Sequence, residues 1–429
     1  MSKKISRRTF IKAALTTGIA LGGGLVLGCG GNENTMPSGK LPVKFLRQII
    51  TKDSTTSRCI MWQSDSPMTE PIIEITIGDE VKKIPAQNST FTDDDTENFQ
   101  YTAQIDGLKP NSTYEFKIVD GAKSTENFEL KTYDENKFKG IIFSDSQSAN
   151  YEVWGGVAKS AFEKNPDAEF FINMGDLVDN GEDRTQWEAW MTQVEEPLTK
   201  LPFVPIMGNH ECYARDWKER YPMAYLNYFA VPENDNKYFN RRYYSFDFGA
   251  AHFVVLDSQW DELETFAPGI IEAQINWLRK DLENTKKAWK IVCIHRDVLQ
   301  YKIIDRDDWN EGFSSVGTTF MPEFDFWNVD VVFTAHLHTY RNRGHIRDFN
   351  EDPTGPLYIL TGLSGDVRYP GLWANHTLDK FVAPQPETDN FLTIEGDDKN
   401  LIIKCFLPDG TKLDEVKLTK KENQEEISE

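Results

Sequence analysis

Residues 329–340 read VDVVFTAHLHTY: an apolar-rich run that ends in two histidines one residue apart. An isolated strand would bury one of these rings and leave the other in water, because successive side chains alternate between its faces. Taken alone, the stretch leaves open whether both rings reach toward something shared. The answer depends on what else the chain delivers to strand ends.

Five other segments from residue 138 onward are built the same way. KGIIFSD ends at Asp145, AEFFINMGD at Asp176, LPFVPIMGN at Asn209 followed by His210, and WKIVCIH at His295; PLYILTG ends in a Gly-containing turn. AHFVVLDS carries Asp257, and helical patterning such as IEAQINWLRKDL (271–282) lies between some of the runs. Buried strands that present polar residues at their carboxyl ends are the way layered α/β enzymes build sites. A carboxylate at such a place is costly unless it is paired or binds a metal. Asp, Asn and His without a clustered thiolate suit borderline divalent ions such as Zn, Mn or Fe. Two such ions about 3.5–4 Å apart need a shared oxygen ligand, and Asp176 is the candidate. Such a pair would grip two phosphoryl oxygens and lower the pKa of a bridging water, whose hydroxide attacks phosphorus in line.

The motifs FSDSQ, GDLVD, GNHE, the lone His295 and AHLH, in that order, resemble the signature of the calcineurin-like metallophosphoesterases. YYSFDFGAAHFVVLDS and the β-rich segment before it make the chain similar to the purple acid phosphatase branch. The resemblance covers roughly 41–415. It implies an α+β chain: a fibronectin type III-like β-sandwich over 41–135, then a four-layer α/β/β/α metallophosphoesterase domain over 136–415. It also implies that Asp145 and His338 serve one metal, Asn209, His295 and His336 the other, and Asp176 both. His210 would stay off the metals and protonate the leaving oxygen or stabilise the transition state.

Two positions depart from the purple pattern. That branch places a metal-binding tyrosine three residues after the bridging aspartate, and here the residue is Asp179, so the Tyr-to-Fe(III) colour is expected to be absent. Asp179 instead fits a supporting role behind the metals. Gln147 stands where many relatives carry His or Gly, and its amide oxygen is a candidate for the first metal, directly or through water. Arg296 and Arg368 are candidate phosphate contacts. His252 reads as a hydrogen-bonded core histidine, Asp257 as scaffold support, and His345 and His376 as exposed loop positions.

The remainder sets the context. Within 41–133, RCIMWQSD, PIIEITIG, NFQYTAQIDGL and TYEFKIV read as short strands separated by turns, with Leu108 and Tyr114 packing inward around the Pro110 turn. This segment is expected to be structural or to flank a substrate. NFLTIEG and NLIIKCFLPDG read as an added hairpin. A net charge of −21 disfavours long nucleic acid as a partner but not a small phosphorylated substrate beside metal ions.

Residues 1–28 read as an export segment with Lys3, Lys4, Arg7, Arg8 and Lys12 at its head; SRRTFIK resembles a bacterial twin-arginine signal and VLGC a lipobox. Cys29 would then be lipidated, placing the protein in the cell envelope on a membrane anchor, with a linker over 29–40 and a charged tail over 416–429. Four further cysteines are too few and too scattered for a disulfide framework. The expected activity is two-metal phosphoester hydrolysis, with phosphomonoesters first and diesters or nucleotide pyrophosphates as the alternative. A metal- or ligand-binding surface lipoprotein without catalysis is the reading of a different class.

Overall fold

In the computed structural model the described residues are 39–385 and 388–420; the export segment, Cys29 and the end of the tail lie outside them. A ten-stranded sheet carries the strands Phe138–Phe143, Phe170–Asn173 and Pro202–Pro205 side by side and parallel. On one side Phe391–Gly396, Asn400–Phe406 and Lys412–Thr419 add antiparallel strands, so the expected hairpin is a three-stranded meander whose last strand continues past residue 415. On the other side Lys44–Ile49 pairs in parallel with Pro202–Pro205 and leads to Arg58–Ser64, Thr96–Ile105 and Gln87–Asp93. One layer of the N-terminal sandwich is thus an extension of the large sheet. Its other layer is a separate five-stranded sheet that includes Ile72–Ile77 and Thr113–Asp120.

The sandwich core forms where the two layers face each other. Trp62, Tyr101, Ile73, Phe116 and Leu130 are buried there, with Trp62 and Tyr101 stacked at 5.6 Å. Leu108 and Tyr114 are inward, and the Tyr114 hydroxyl accepts a hydrogen bond from the Lys109 amide at 2.8 Å, which fixes the Pro110 turn.

A second large sheet has Ala251–Leu256, Trp289–Ile294, Val331–Thr334 and Leu357–Thr361 as its parallel centre. The near-continuous apolar sequence of these strands follows from being covered on both faces. Phe138 and Phe170 from the first sheet meet Phe253 from the second, at 5.8 and 5.6 Å between ring centroids. Each such fully buried ring contributes on the order of 2–3 kcal/mol. Outside the first sheet, helix Tyr151–Lys164 is capped by Asn150, whose side chain accepts from the Glu152 amide, and its Trp154 stacks on Trp190 at 5.6 Å. Outside the second, helix Ile270–Asn284 buries Ile270, Gln274, Leu278 and Leu282, a four-residue spacing that forms one face. The two sheets between helices, preceded by a β-sandwich, are the α+β architecture expected from the sequence. Cys59, Cys212, Cys293 and Cys405 are free and buried, so none of these four forms a disulfide.

Candidate metal centre

The strands Phe138–Phe143, Phe170–Asn173, Pro202–Pro205, Trp289–Ile294 and Val331–Thr334 all run toward the same end of the sheet pair. Their exits bring two groups of ligand atoms together. Asp145, Asp176 and His338 offer one group and Asp176, His295 and His336 the other, with the atoms of each group within 4.8 Å of one another. Asp176 belongs to both. Asn209 joins the second group, its Oδ1 lying 3.3 Å from His295 Nε2.

The backbone is bent to achieve this. Asp176, His336 and His338 sit at φ of 50°, 78° and 54°, a left-handed conformation that non-glycine residues seldom hold and that clusters at functional sites. Gly208 permits the close approach, because a Cβ there would collide with Asp176 Oδ1. Glu211, fully buried, holds the bend in place: its carboxylate accepts from the amides of Asp176, Leu177 and Gly208 at 3.0, 2.8 and 2.7 Å. Burial first, and then the charge of Asp176, push this carboxyl up to about 7. The last letter of GNHE signals this residue, but no local property of the sequence gives it a role.

Hydrogen bonds also settle which ring nitrogens point inward. His295 Nδ1 lies 2.9 Å from the Met174 carbonyl and His338 Nδ1 lies 2.6 Å from that of Val367. A carbonyl only accepts, so each Nδ1 carries a proton and each Nε2 is the nitrogen turned inward, the one that would offer a lone pair to a cation. His295 Nε2 therefore faces Asp176 Oδ2 at 3.2 Å and Asn209 Oδ1 at 3.3 Å, a nitrogen and two oxygens converging on one space. His336 Nδ1 and Gln147 Oε1 are buried with no hydrogen-bond partner among the described residues. Converging ligand atoms and orphaned buried polar atoms are the environment a cation would satisfy, and the donor set suits divalent ions.

The charges respond accordingly. Burial alone would raise the Asp176 carboxyl, but His295 and His210 overcome it and hold it well below the usual carboxylate range. Burial would lower His295, yet Asp176 and Asp145 carry it up to about 9, so in the absence of an ion a proton takes its place. His336 is driven well below its ordinary value by burial and then by the neighbouring charges of His295 and Arg296.

His210 lies beside both groups without joining either. Its amide donates to Asp176 Oδ1 at 2.9 Å, and its Nδ1 is 2.7 Å from the Asp179 carbonyl and 3.5 Å from the Asp179 carboxylate. Gln147 Nε2 stands 3.4 Å from His210 Nε2. Asp179 thus faces His210. Arg296 is fastened to Glu262 and Asp261 at 2.5 and 3.0 Å, and its charge is felt at His336. Arg368 is paired with Asp389 and donates to the Asp366 carbonyl. Away from the centre, His252 is a satisfied core residue between Asp247 and Asp281, at 2.7 and 2.8 Å. Asp257 forms a fully buried ion pair with Arg242 at 2.6 Å. His376 differs from expectation: it is buried, with its ring bonded to the Gly312 carbonyl and the Leu378 amide. His345 also departs from the exposed loop position expected: it is half-buried within the strand Tyr340–Arg347, its Nδ1 2.7 Å from the Gly355 carbonyl.

Residues 141–340 match the calcineurin-like phosphoesterase family, and residues 45–132 match the purple acid phosphatase N-terminal domain. The chain is 31 % identical over 192 residues to purple acid phosphatase 23 of Arabidopsis thaliana, a stretch covering 42 % of this chain and 38 % of that protein. It is 23 % identical to purple acid phosphatase 13 of the same plant over 68 % of this chain and 58 % of the relative. It therefore matches only part of the length of these relatives. The purple acid phosphatase PPD1 of yellow lupin seeds superposes with a TM-score of 0.71 at 17 % identity, over 89 % of this chain and 75 % of that one, a likeness of fold.

Proposed function

We propose that this chain, which carries a purple acid phosphatase N-terminal domain ahead of a calcineurin-like phosphoesterase domain, hydrolyses phosphomonoesters with two divalent metal ions. The observation that carries this reading is the single buried carboxylate, Asp176, shared by two ligand groups, with His210 beside them and outside both. Bound there, the ions supply Lewis-acid charge to the phosphoryl oxygens and a hydroxide nucleophile near neutral pH. Asp145 and His338 would hold one ion, with Gln147 Oε1 as a further donor; Asn209, His295 and His336 would hold the other, with Asp176 shared. The Asp179 carbonyl keeps the His210 Nδ1 proton occupied, so Nε2 is the atom that delivers a proton to the leaving oxygen as the P–O bond breaks. Arg296, oriented by Glu262 and Asp261, places positive charge beside the His336 group, where a phosphate oxygen would lie. Arg368, paired with Asp389, is the second candidate phosphate contact.

The test is turnover of phosphate monoesters, diesters and nucleotides by protein loaded with Mn, Zn or Fe. Metal-dependent monoester turnover is expected. His210→Ala should lower kcat by about 10²–10⁴ while both metals stay bound. Absence of turnover across the whole panel would overturn the reading, and metal loss in His210→Ala would overturn the role of that residue.

Localisation rests on the sequence. Cys29 is proposed to anchor the exported protein to a membrane through lipid, and among the described residues no helix is long and apolar enough to cross one. Cys29→Ser should move the protein from the membrane fraction to the soluble fraction; unchanged membrane association counts against lipidation.

A further inference from the structure

Among the exposed large apolar side chains of the described residues, Trp217, 41 % exposed, is the one in ring contact with His210. Its indole stands edge-on to that imidazole, with centroids 5.9 Å apart and planes at 90°, and packs on Tyr213 at 6.1 Å. An exposed indole is usually turned away from a polar cleft or folded onto the surface. This one is held where it is. The segment 213–219 doubles back on itself through the Ala214 amide, which donates to the Lys218 carbonyl, and the Trp217 amide, which donates to the Ala214 carbonyl. Trp217 itself is at φ of 64°, a conformation that needs external support in a bulky residue.

The support comes from the N-terminal sandwich. Strands Gln87–Asp93 and Thr96–Ile105 are joined by Asp94-Asp95, both at positive φ (49° and 54°), the tight hairpin turn that matches strand twist. Asp93, at the base of that turn and 5 % exposed, grips the Arg220 guanidinium with both oxygens at 2.8 and 2.9 Å. Asp94 pairs with Arg215. Two carboxylates on one hairpin therefore clamp the two arginines that flank Trp217, and the forked Asp93–Arg220 contact fixes direction as well as distance.

Resting on the hydrolase reading above, we infer that Trp217 is a stacking platform for an aromatic leaving group, and that the sandwich hairpin positions it. The geometry follows from the role of His210. The group that protonates the leaving oxygen marks the side on which the rest of the substrate must lie, and the exposed indole is in contact with that group. A ring carried by the ester oxygen, or one joined to it through a sugar, would lie against the indole face. Aliphatic phosphates would offer it little. The chemical class is thus an aryl or nucleoside phosphate.

The test compares phenyl phosphate, adenosine monophosphate and glycerol phosphate on the metal-loaded wild type, Trp217→Ala, Trp217→Phe and Arg220→Gln. Trp217→Ala should raise KM for an aromatic substrate about tenfold more than for glycerol phosphate, and Trp217→Phe should restore most of the difference. Whichever of phenyl phosphate and adenosine monophosphate shows the larger selective loss identifies the source of the ring. Arg220→Gln should reproduce the same selectivity in part, because it loosens the platform and leaves the indole in place. Equal losses on all three substrates would mean that Trp217 only props His210, and no loss would mean that it faces solvent; either result overturns the inference and leaves the hydrolase reading standing. Wild-type protein that turns over none of the three would overturn both.

Discussion

Two buried charged clusters lie within a few residues of one another, and they differ in what they lack. At the strand exits, Asp145, Asp176, His295 and His336 converge with metal-ligand atoms facing one another, an orphaned His336 Nδ1 and three residues at positive φ. Just beyond, Asp297, Tyr301, Arg341, Arg343 and Asp379 form a cluster that is just as buried. There the Tyr301 hydroxyl donates to Asp379 at 2.7 Å, Arg341 meets Asp379 at 2.5 Å, and Arg343 pairs with Asp297 while donating to the Tyr301 oxygen at 2.9 Å. Every positive group has its acceptor. Both places are buried and charged, so neither property alone marks a site. The mark is unmet coordination held in a strained backbone.

That contrast can be broken by substitution. The largest effect is expected at Asp176→Asn, which should weaken both ion sites and lower phosphoester turnover by about 10³ or more, read as metal content and kcat. Loss of one ion with the other intact would end its role as the shared ligand. In the satisfied cluster, Arg343→Met should leave Asp297 buried without its partner and cost about 3–5 kcal/mol in chemical denaturation. A loss below about 1 kcal/mol would show that the cluster is not closed as described. Next, His338→Ala should weaken the Asp145-side ion and His336→Ala the Asn209-side ion, each by at least about a hundredfold, measured by metal titration. The same ion lost in both variants would refute the division.

The smallest effect concerns His252, a third kind of buried charge. Burial lowers its pKa, but Asp247 and Asp281 together carry it up to about 9. The folded value lies above the unfolded one, so the contribution is complete below about pH 6.5 and is lost as pH rises through about 9. His252→Gln should cost on the order of 2 kcal/mol at pH 6 and little at pH 10; a pH-independent cost would refute the ion-pair account.

The candidate ligand groups were legible because most of their residues stand at the end of an apolar run. The i, i+2 spacing of His336 and His338 looks like strand alternation, but the strand ends at Thr334, and the left-handed turn sends the rings to different ligand groups. Glu211 and Trp217 were not legible in this way. Their roles depend on backbone amides and on a hairpin more than a hundred positions away, which no local pattern encodes. His376 misled because the Gly312 carbonyl, one of the two partners that bury its ring, lies 64 positions away in the sequence.

The parallel pairing of Lys44–Ile49 with Pro202–Pro205 gives the family boundary near residue 135 an unexpected meaning. A chain cut there would begin with its own first strand intact, yet would leave Pro202–Pro205 with an open edge, bare of the neighbour that now occupies it. The N-terminal sandwich thus covers an edge that the larger domain would otherwise expose to edge-to-edge pairing, and the two domains, separable in the alphabet of families, are joined in the ladder of hydrogen bonds.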